Sequence, residues 1–219
     1  MNQTDILSKT EEYVRETLEG EGSGHDWWHI HRVRNTALKL GNEENANLFV
    51  VELAALLHDI ADHKFHDGDE EIGSATARKW LQGLNAEKHI IDHVCDIIRD
   101  VSFKGAKVET PMKSIEGKVV QDADRLDAIG AIGIARAFAY GGHKGRELHN
   151  PDIKPESHAS FESYKKNSGP TINHFYEKLF LLKDRMNTKS GRKLAQERHQ
   201  FMQEFVARFL DEWDGSVEL

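Results

Sequence analysis

The chain has 219 residues, 38% of them apolar and 30% charged, with a formal net charge of −8. This length suits one ordinary-to-large domain with a full core, and the acidic balance argues against broad attraction to a nucleic-acid backbone, though not against a local basic pocket. A single cysteine excludes a disulfide framework and a Cys-rich zinc site, and no apolar run reaches the ~18 residues of a membrane span. With no export signal to read, the expected location is the cytoplasm.

Taken in order, residues 4–19 carry Ile6, Tyr13, Val14 and Leu18 at helical spacing, closed by the glycine-rich stretch 20–24. A second helix is predicted from about Asp26 to Leu40, with Ile30, Val33, Ala37 and Leu40 inward, His29 bordering that stripe and Gly41 as its stop. From Leu48 to Leu57 the sequence is apolar almost all round, the mark of a buried helix. It runs into His58, Asp59 and Asp62, which as helical residues would share roughly one face.

A polar loop over 63–69 and a helix over about 70–84 come next. Ile90, Ile91, Val94, Ile97, Ile98 and Val101 then keep near-perfect helical spacing, with Cys95 among them as core. After a connection over 106–112, a helix from about Ser114 carries Val119, Val120, Ala123 and Leu126. Asp124 and Asp127 flank its apolar face. Ile129 to Tyr140 reads as a small-residue helix kinked near Gly130, and Gly141 to Pro155 as a long loop or lid. Helices near 158–166, 171–186 and 191–213 complete the chain, the last with Leu194, Phe201, Phe205 and Phe209 inward. No alternating strand, internal repeat or low-complexity tract is evident.

Carboxylates at buried positions are normally paired or bound to metal, because an unpaired buried charge costs several kcal/mol. Three places combine such positions with metal-type side chains: His29, His58 with Asp59, and Asp124. Two imidazoles and two carboxylates suit a divalent ion, the oxygens favouring Mn²⁺, Fe²⁺ or Mg²⁺ over a structural zinc. On an octahedral ion four protein ligands leave two positions open for water and substrate. Each residue alone has a plainer reading. His29 suits a satisfied boundary histidine, His58 a histidine at a helix C-terminal dipole, and Asp124 a buried ion pair with Arg32, Arg125 or Arg136.

The combined pattern resembles the HD-domain metal-dependent phosphohydrolases. It runs through His29-Ile30-His31-Arg32-Val33, His58-Asp59-Ile60-Ala61-Asp62 and Gln121-Asp122-Ala123-Asp124-Arg125-Leu126-Asp127-Ala128, covering about residues 20–145. Gly24-His25-Asp26-Trp27, Ser102-Phe103-Lys104-Gly105 and Ala131-Ile132-Gly133-Ile134-Ala135-Arg136 extend the likeness to the small stand-alone bacterial subgroup. The resemblance implies an all-α helical bundle, here one domain over 1–219 with a C-terminal helical extension over about 156–214. It also implies a bound divalent metal and hydrolysis of phosphate esters or anhydrides. Carried over, His29 (rather than His31), His58, Asp59 and Asp124 (rather than Asp122 or Asp127) match its metal ligands. One ion is expected, Mn²⁺ first, with Mg²⁺, Fe²⁺, Co²⁺, Ni²⁺ or Zn²⁺ as substitutes, and His63 and His93 are left outside the ligand set.

For the chemistry, Asp59 and Asp62 are the candidate catalytic carboxylates. Asp62 would orient or deprotonate a water, or protonate the leaving group; its plainer reading is a solvated carboxylate. Arg32 is a candidate phosphate contact, or else an ion-pair partner of Asp59 or Asp62. Lys104, Arg125 and Arg136 are weaker phosphate candidates, and Asp127 suits either a substrate contact or a support behind the metal. Trp27, Trp28 and Trp80 read as core rather than base-stacking, with a place at the site mouth as the alternative for Trp27 or Trp28. The expected substrate is a small-molecule nucleotide, first a (deoxy)nucleoside triphosphate, next a nucleoside monophosphate or cyclic nucleotide. A non-catalytic metal- or nucleotide-binding module is the reading from another class. Neither stable nucleic-acid binding nor a membrane partner is expected, and a homodimer is compatible with the sequence.

Overall fold

A computed structural model describes residues 1–20, 26–61, 71–101, 110–156 and 169–216. Among them the chain is all-α: α1 (Gln3–Thr17), α2 (Trp27–Glu43), α3 (Leu48–Leu57), α4 (Ile72–Gly83), α5 (Lys88–Val101), α6 (Ile115–Asp127), α7 (Gly130–His143), α8 (Thr171–Glu177), a 3₁₀ segment (Leu179–Arg185) and α9 (Lys189–Trp213). The helix predicted near 158–166 lies outside the described residues. No described helix is long and apolar enough to cross a membrane.

The chain divides into two compact units. The first takes in α1 to α5 and α6 as far as Asp124; the second begins at Arg125. In the first, α3 packs against α1, α2 and α5, and α4 packs against α5. Val50, Val51 and every residue from Leu53 to Leu57 are at most 1% exposed, so α3 is the buried helix its composition predicts. The exceptions are Leu48, which is exposed, and Glu52, whose carboxylate accepts from the Arg34 guanidinium; Arg34 also pairs with Glu11 at 3.1 Å, tying α1, α2 and α3 together. Buried Thr10 receives the indole N–H of Trp80 at 3.0 Å, while Tyr13 stacks on the Trp80 ring at 3.9 Å. Cys95 is core: its thiol donates to the Ser74 carbonyl, and burial pushes its pKa up, opposite to what a nucleophile needs.

Several helix ends differ from expectation. Gly41 does not stop α2; the helix runs on to Glu43. A side chain at Gly41 would meet Leu48 Cδ2 at 3.0 Å and Val51 Cγ1 at 3.6 Å, so the glycine serves close α2–α3 packing. The stop is Asn45, in the left-handed conformation at φ 55°, with the Ala46 N–H donating back to the Gly41 carbonyl at 2.9 Å. Asn85 ends α4 in the same way, at φ 54°, with Ala86 N–H donating to the Leu81 carbonyl at 3.1 Å.

In the second unit α9 packs against α7 and the 3₁₀ segment, and α8 against α7. The break between α6 and α7 is complete rather than a kink: Ile129 is extended and Gly130, the first residue of α7, takes φ 77°. Part of the expected loop is helix, since α7 continues through Gly141 and Gly142 to His143. Gly141 lets α8 approach: a Cβ there would lie 2.2 Å from Thr171 Oγ1. Along α9 the buried residues are Ser190, Gly191, Ala195, His199, Met202 and Val206, with Phe205 half-buried. Phe201 is exposed, against expectation, because the inward stripe runs one position later through Met202. Burial holds the imidazoles of both His174 and His199 below their ordinary pKa, that of His174 down to about 3 with help from the charges of Lys178 and Arg146.

Candidate metal centre

α2 starts at an N-cap, where Asp26 accepts the His29 backbone N–H at 2.9 Å. This fixes the first turn and aims His29 inward, where it is 1% exposed. α3 ends at Leu57, and His58 and Asp59 lie in the turn beyond it rather than on the helix. The Ile60 N–H donates to the Leu57 carbonyl at 3.2 Å, a tighter spacing than the α-helical one. For His58 and Asp59 the expected helical face is therefore replaced by this turn. Asp62 and His63 lie outside the described residues, as does Lys104.

His58 Nδ1 lies 2.8 Å from the Ala55 carbonyl. A carbonyl can only accept, so Nδ1 carries the proton and Nε2 presents a lone pair. That Nε2 faces His29 Nε2 at 3.3 Å, Asp59 Oδ2 at 3.5 Å and Asp124 Oδ1 at 3.9 Å. His29 Nε2 in turn lies 3.4 Å from Asp59 Oδ2 and 3.5 Å from Asp124 Oδ1. His29, His58 and Asp59 each offer a ligand atom within 4.8 Å of the others.

The donor set of His29, His58 and Asp59 fits a divalent ion, and Asp124 Oδ1 borders it on the histidine side. At metal–ligand distances of about 2.1 Å, neighbouring ligand atoms sit about 3.0 Å apart on an octahedron and about 3.4 Å apart on a tetrahedron. The contacts above are edges of that size or slightly longer. The imidazoles are buried while Asp59 and Asp124 are 16% and 28% exposed at their side chains, so the carboxylates form the solvent side of the group. Such a group, walled by protein and open on one side, is what a catalytic metal site requires.

The other sequence candidates are placed less centrally. Arg32 is half-buried on α2, one turn after His29. Arg125 is buried, and its Nη1 donates to the Arg185 carbonyl. Asp127 is buried and accepts from Arg136 Nη1 at 2.5 Å; Arg136, one of the alternatives for Asp124, is thus held by Asp127. His93 Nε2 meets Ser114 Oγ at 2.8 Å and Glu116 at 3.6 Å. Sequence reasoning missed Gln121, whose buried amide nitrogen lies 3.1 Å from the Thr110 carbonyl and 3.4 Å from that of Val101. Apart from its place at the head of the Gln121–Ala128 motif, its sequence signal was a polar residue inside the apolar register of α6.

Residues 27–129 match the family model of the HD domain. The chain is 43% identical to the YpgQ protein of Bacillus subtilis (strain 168) over 196 residues, covering 89% of this chain and 87% of that one. A crystal structure of an HD-superfamily hydrolase from Bacillus thuringiensis is similar at 44% identity with a TM-score of 0.78, covering 97% of this chain and 99% of the other. The structure of Bacillus subtilis YpgQ in complex with ADP is similar at 39% identity with a TM-score of 0.76, covering 97% and 96% of the two chains.

Proposed function

The chain belongs to the HD-domain superfamily, and on that premise we propose that it is a divalent-metal-dependent phosphohydrolase acting on a nucleotide. The favoured substrate is a nucleoside or deoxynucleoside triphosphate, cut at an anhydride bond. The observation that carries this reading is the convergence of His29 Nε2, His58 Nε2, Asp59 Oδ2 and Asp124 Oδ1 at 3.3–3.9 Å from the histidine nitrogens. The choice of a nucleotide is supported by YpgQ, whose structure was solved with ADP.

In this reading His29, His58, Asp59 and Asp124 hold one ion, Mn²⁺ by preference. A divalent ion so held supplies Lewis acidity and a water of lowered pKa. The Ala55 carbonyl keeps His58 in the tautomer that offers Nε2. Asp59 would serve both to hold the ion and to orient the attacking water. Asp62 takes the proton from the attacking water or returns one to the leaving oxygen. Arg32 and Lys104 hold phosphate oxygens by charge-assisted hydrogen bonds. Arg125 and Asp127 are themselves held, by the Arg185 carbonyl and the Arg136 guanidinium.

The test is to strip the purified chain of metal, restore Mn²⁺, Mg²⁺, Zn²⁺ or Co²⁺ separately, and follow the products from a panel of nucleotides. Metal-dependent release of pyrophosphate or phosphate, abolished in Asp59→Ala and reduced at least tenfold in Asp62→Ala, is the expected result. Tight metal binding with no nucleotide cleaved would refute the enzyme reading, and full turnover in Asp62→Ala would refute its acid–base role.

A further inference from the structure

The first turn of α2 grades from buried to exposed. Each helical residue advances about 100° round the axis, which places Arg32 about 60° and Trp28 about 100° to one side of His29. Ile30, Val33 and Ala37, on the other side, are fully buried. In order from the core outward, His29 is 1% exposed, Arg32 half-buried and Trp28 58% exposed. Trp27, by contrast, is only 8% exposed, and the Arg15 guanidinium lies over its ring. Two neighbouring tryptophans thus have opposite fates, and the one presented to solvent shares a strip with a histidine of the metal centre and an arginine suited to phosphate.

The described ring neighbour of Trp28 is His31, at 5.7 Å and an interplanar angle of 79°. A perpendicular contact covers at most one face of the indole. On a helix about 10–12 Å across, side chains about 100° apart end roughly 8–9 Å from one another. This lies within the reach of a nucleotide from its phosphates to its base. An indole face stacks on any base, since every base has a π-face.

We propose that Trp28 is the base-stacking platform of the substrate site: with the phosphates at the His29–His58–Asp59–Asp124 group and Arg32, the nucleobase lies on the open indole face. This rests on the nucleotide reading above, and assigns to one residue the affinity for the nucleoside half. Because stacking reads a π-face rather than a hydrogen-bond edge, it implies discrimination among bases by stacking strength, purines before pyrimidines.

The metal-loaded full chain, Trp28→Ala and Trp28→Phe are compared on nucleoside triphosphates and on inorganic tripolyphosphate, which has anhydride bonds but no base. In Trp28→Ala the KM for nucleotide rises about tenfold, with kcat little changed. The nucleotide-to-tripolyphosphate ratio of kcat/KM falls by the same factor, and Trp28→Phe recovers most of it. Nucleotide quenches the intrinsic fluorescence of the wild type, tripolyphosphate does not, and the quench is lost in Trp28→Phe. A wild-type KM for nucleotide in Trp28→Ala overturns the proposal, even if the variant's oligomeric state changes. So does an equal loss on both substrates, which marks a general disturbance of α2. A wild type that cleaves no nucleotide defeats the function proposed above; the quench then decides Trp28 by itself, supporting the platform if it is lost in Trp28→Phe and overturning it if no quench occurs.

Discussion

Replacing Arg136 by methionine should destabilise the protein through a carboxylate that the variant leaves behind. The Asp127 side chain is 5% exposed and Arg136 30%. One guanidinium nitrogen reaches both the Asp127 carboxylate at 2.5 Å and its backbone carbonyl at 3.4 Å. Removing one partner of a buried ion pair costs about 3–5 kcal/mol, most of it the penalty of an uncompensated buried charge. Because Arg136 is partly exposed and Arg198 also bears on the Asp127 charge, we expect less than this, about 2–3 kcal/mol. Methionine keeps the aliphatic bulk of the arginine stem, which limits the loss to the charge and its hydrogen bonds. For a chain of this size the melting temperature should fall by about 5–10 °C. The assay is thermal and urea unfolding of Arg136→Met, Asp127→Asn and the double variant. The double variant should be more stable than the sum of the single losses implies, with a coupling of about 1.5 kcal/mol or more. Since Asp127 follows Asp124 by one turn of α6, Arg136→Met should also weaken metal binding several-fold. A single-variant loss under about 0.5 kcal/mol, or no coupling, would show that the pair behaves as an ordinary surface contact and that the reasoning is wrong.

Further outcomes follow from other sites. Adding Mn²⁺ at about a thousand times its Kd should stabilise the metal-free protein by about 4 kcal/mol, seen as a rise in melting temperature that Asp59→Ala abolishes; an equal rise in the variant would place the ion elsewhere. Gly141→Ala, which in an unconstrained helix would stabilise, should here cost about 1–3 kcal/mol because its methyl meets Thr171 Oγ1, and Thr171→Ala in the same chain should recover much of that in urea unfolding. His174, held neutral down to about pH 3 when folded, takes up a proton near its ordinary value of 6.5 once unfolded. The unfolded state thus binds more protons between these limits, so stability falls as the pH drops from about 6.5 towards 3 and is unaffected by this group above 7. At pH 5 the contribution is about 2 kcal/mol, and melts of His174→Asn against pH should show a shallower acid slope; identical slopes would refute it.

The fold class and the clustering of His29, His58 and Asp59 were legible because both rest on local chemistry. α3 announced itself by having almost no polar face, and polar ligands placed against it needed a partner. What was not legible was where helices end and why. Gly41 looked like a stop because glycine usually is one, but here the missing side chain admits Leu48 and Val51; the stop fell to Asn45, a residue with a weaker preference for positive φ. His58 and Asp59 were read as helical, whereas a tightened turn presents them. Phe201 was placed inward from a spacing that suits either of two adjacent registers; tertiary packing chose Met202. Gln121 gave no pattern of its own, because its partners lie on segments distant in sequence.

The two asparagines at positive φ, Asn45 and Asn85, leave room for thermostability engineering. A non-glycine residue in that conformation is held against a cost of about 1 kcal/mol, which asparagine lowers but does not remove. The backbone hydrogen bonds that close these ends, Ala46 to Gly41 and Ala86 to Leu81, need no side chain at either asparagine. Asn45→Gly and Asn85→Gly should therefore each raise the melting temperature by a few degrees. Neither change touches His29, His58, Asp59 or Asp124, so a hardened variant could serve as the parent for every site substitution above and tolerate those that cost the most.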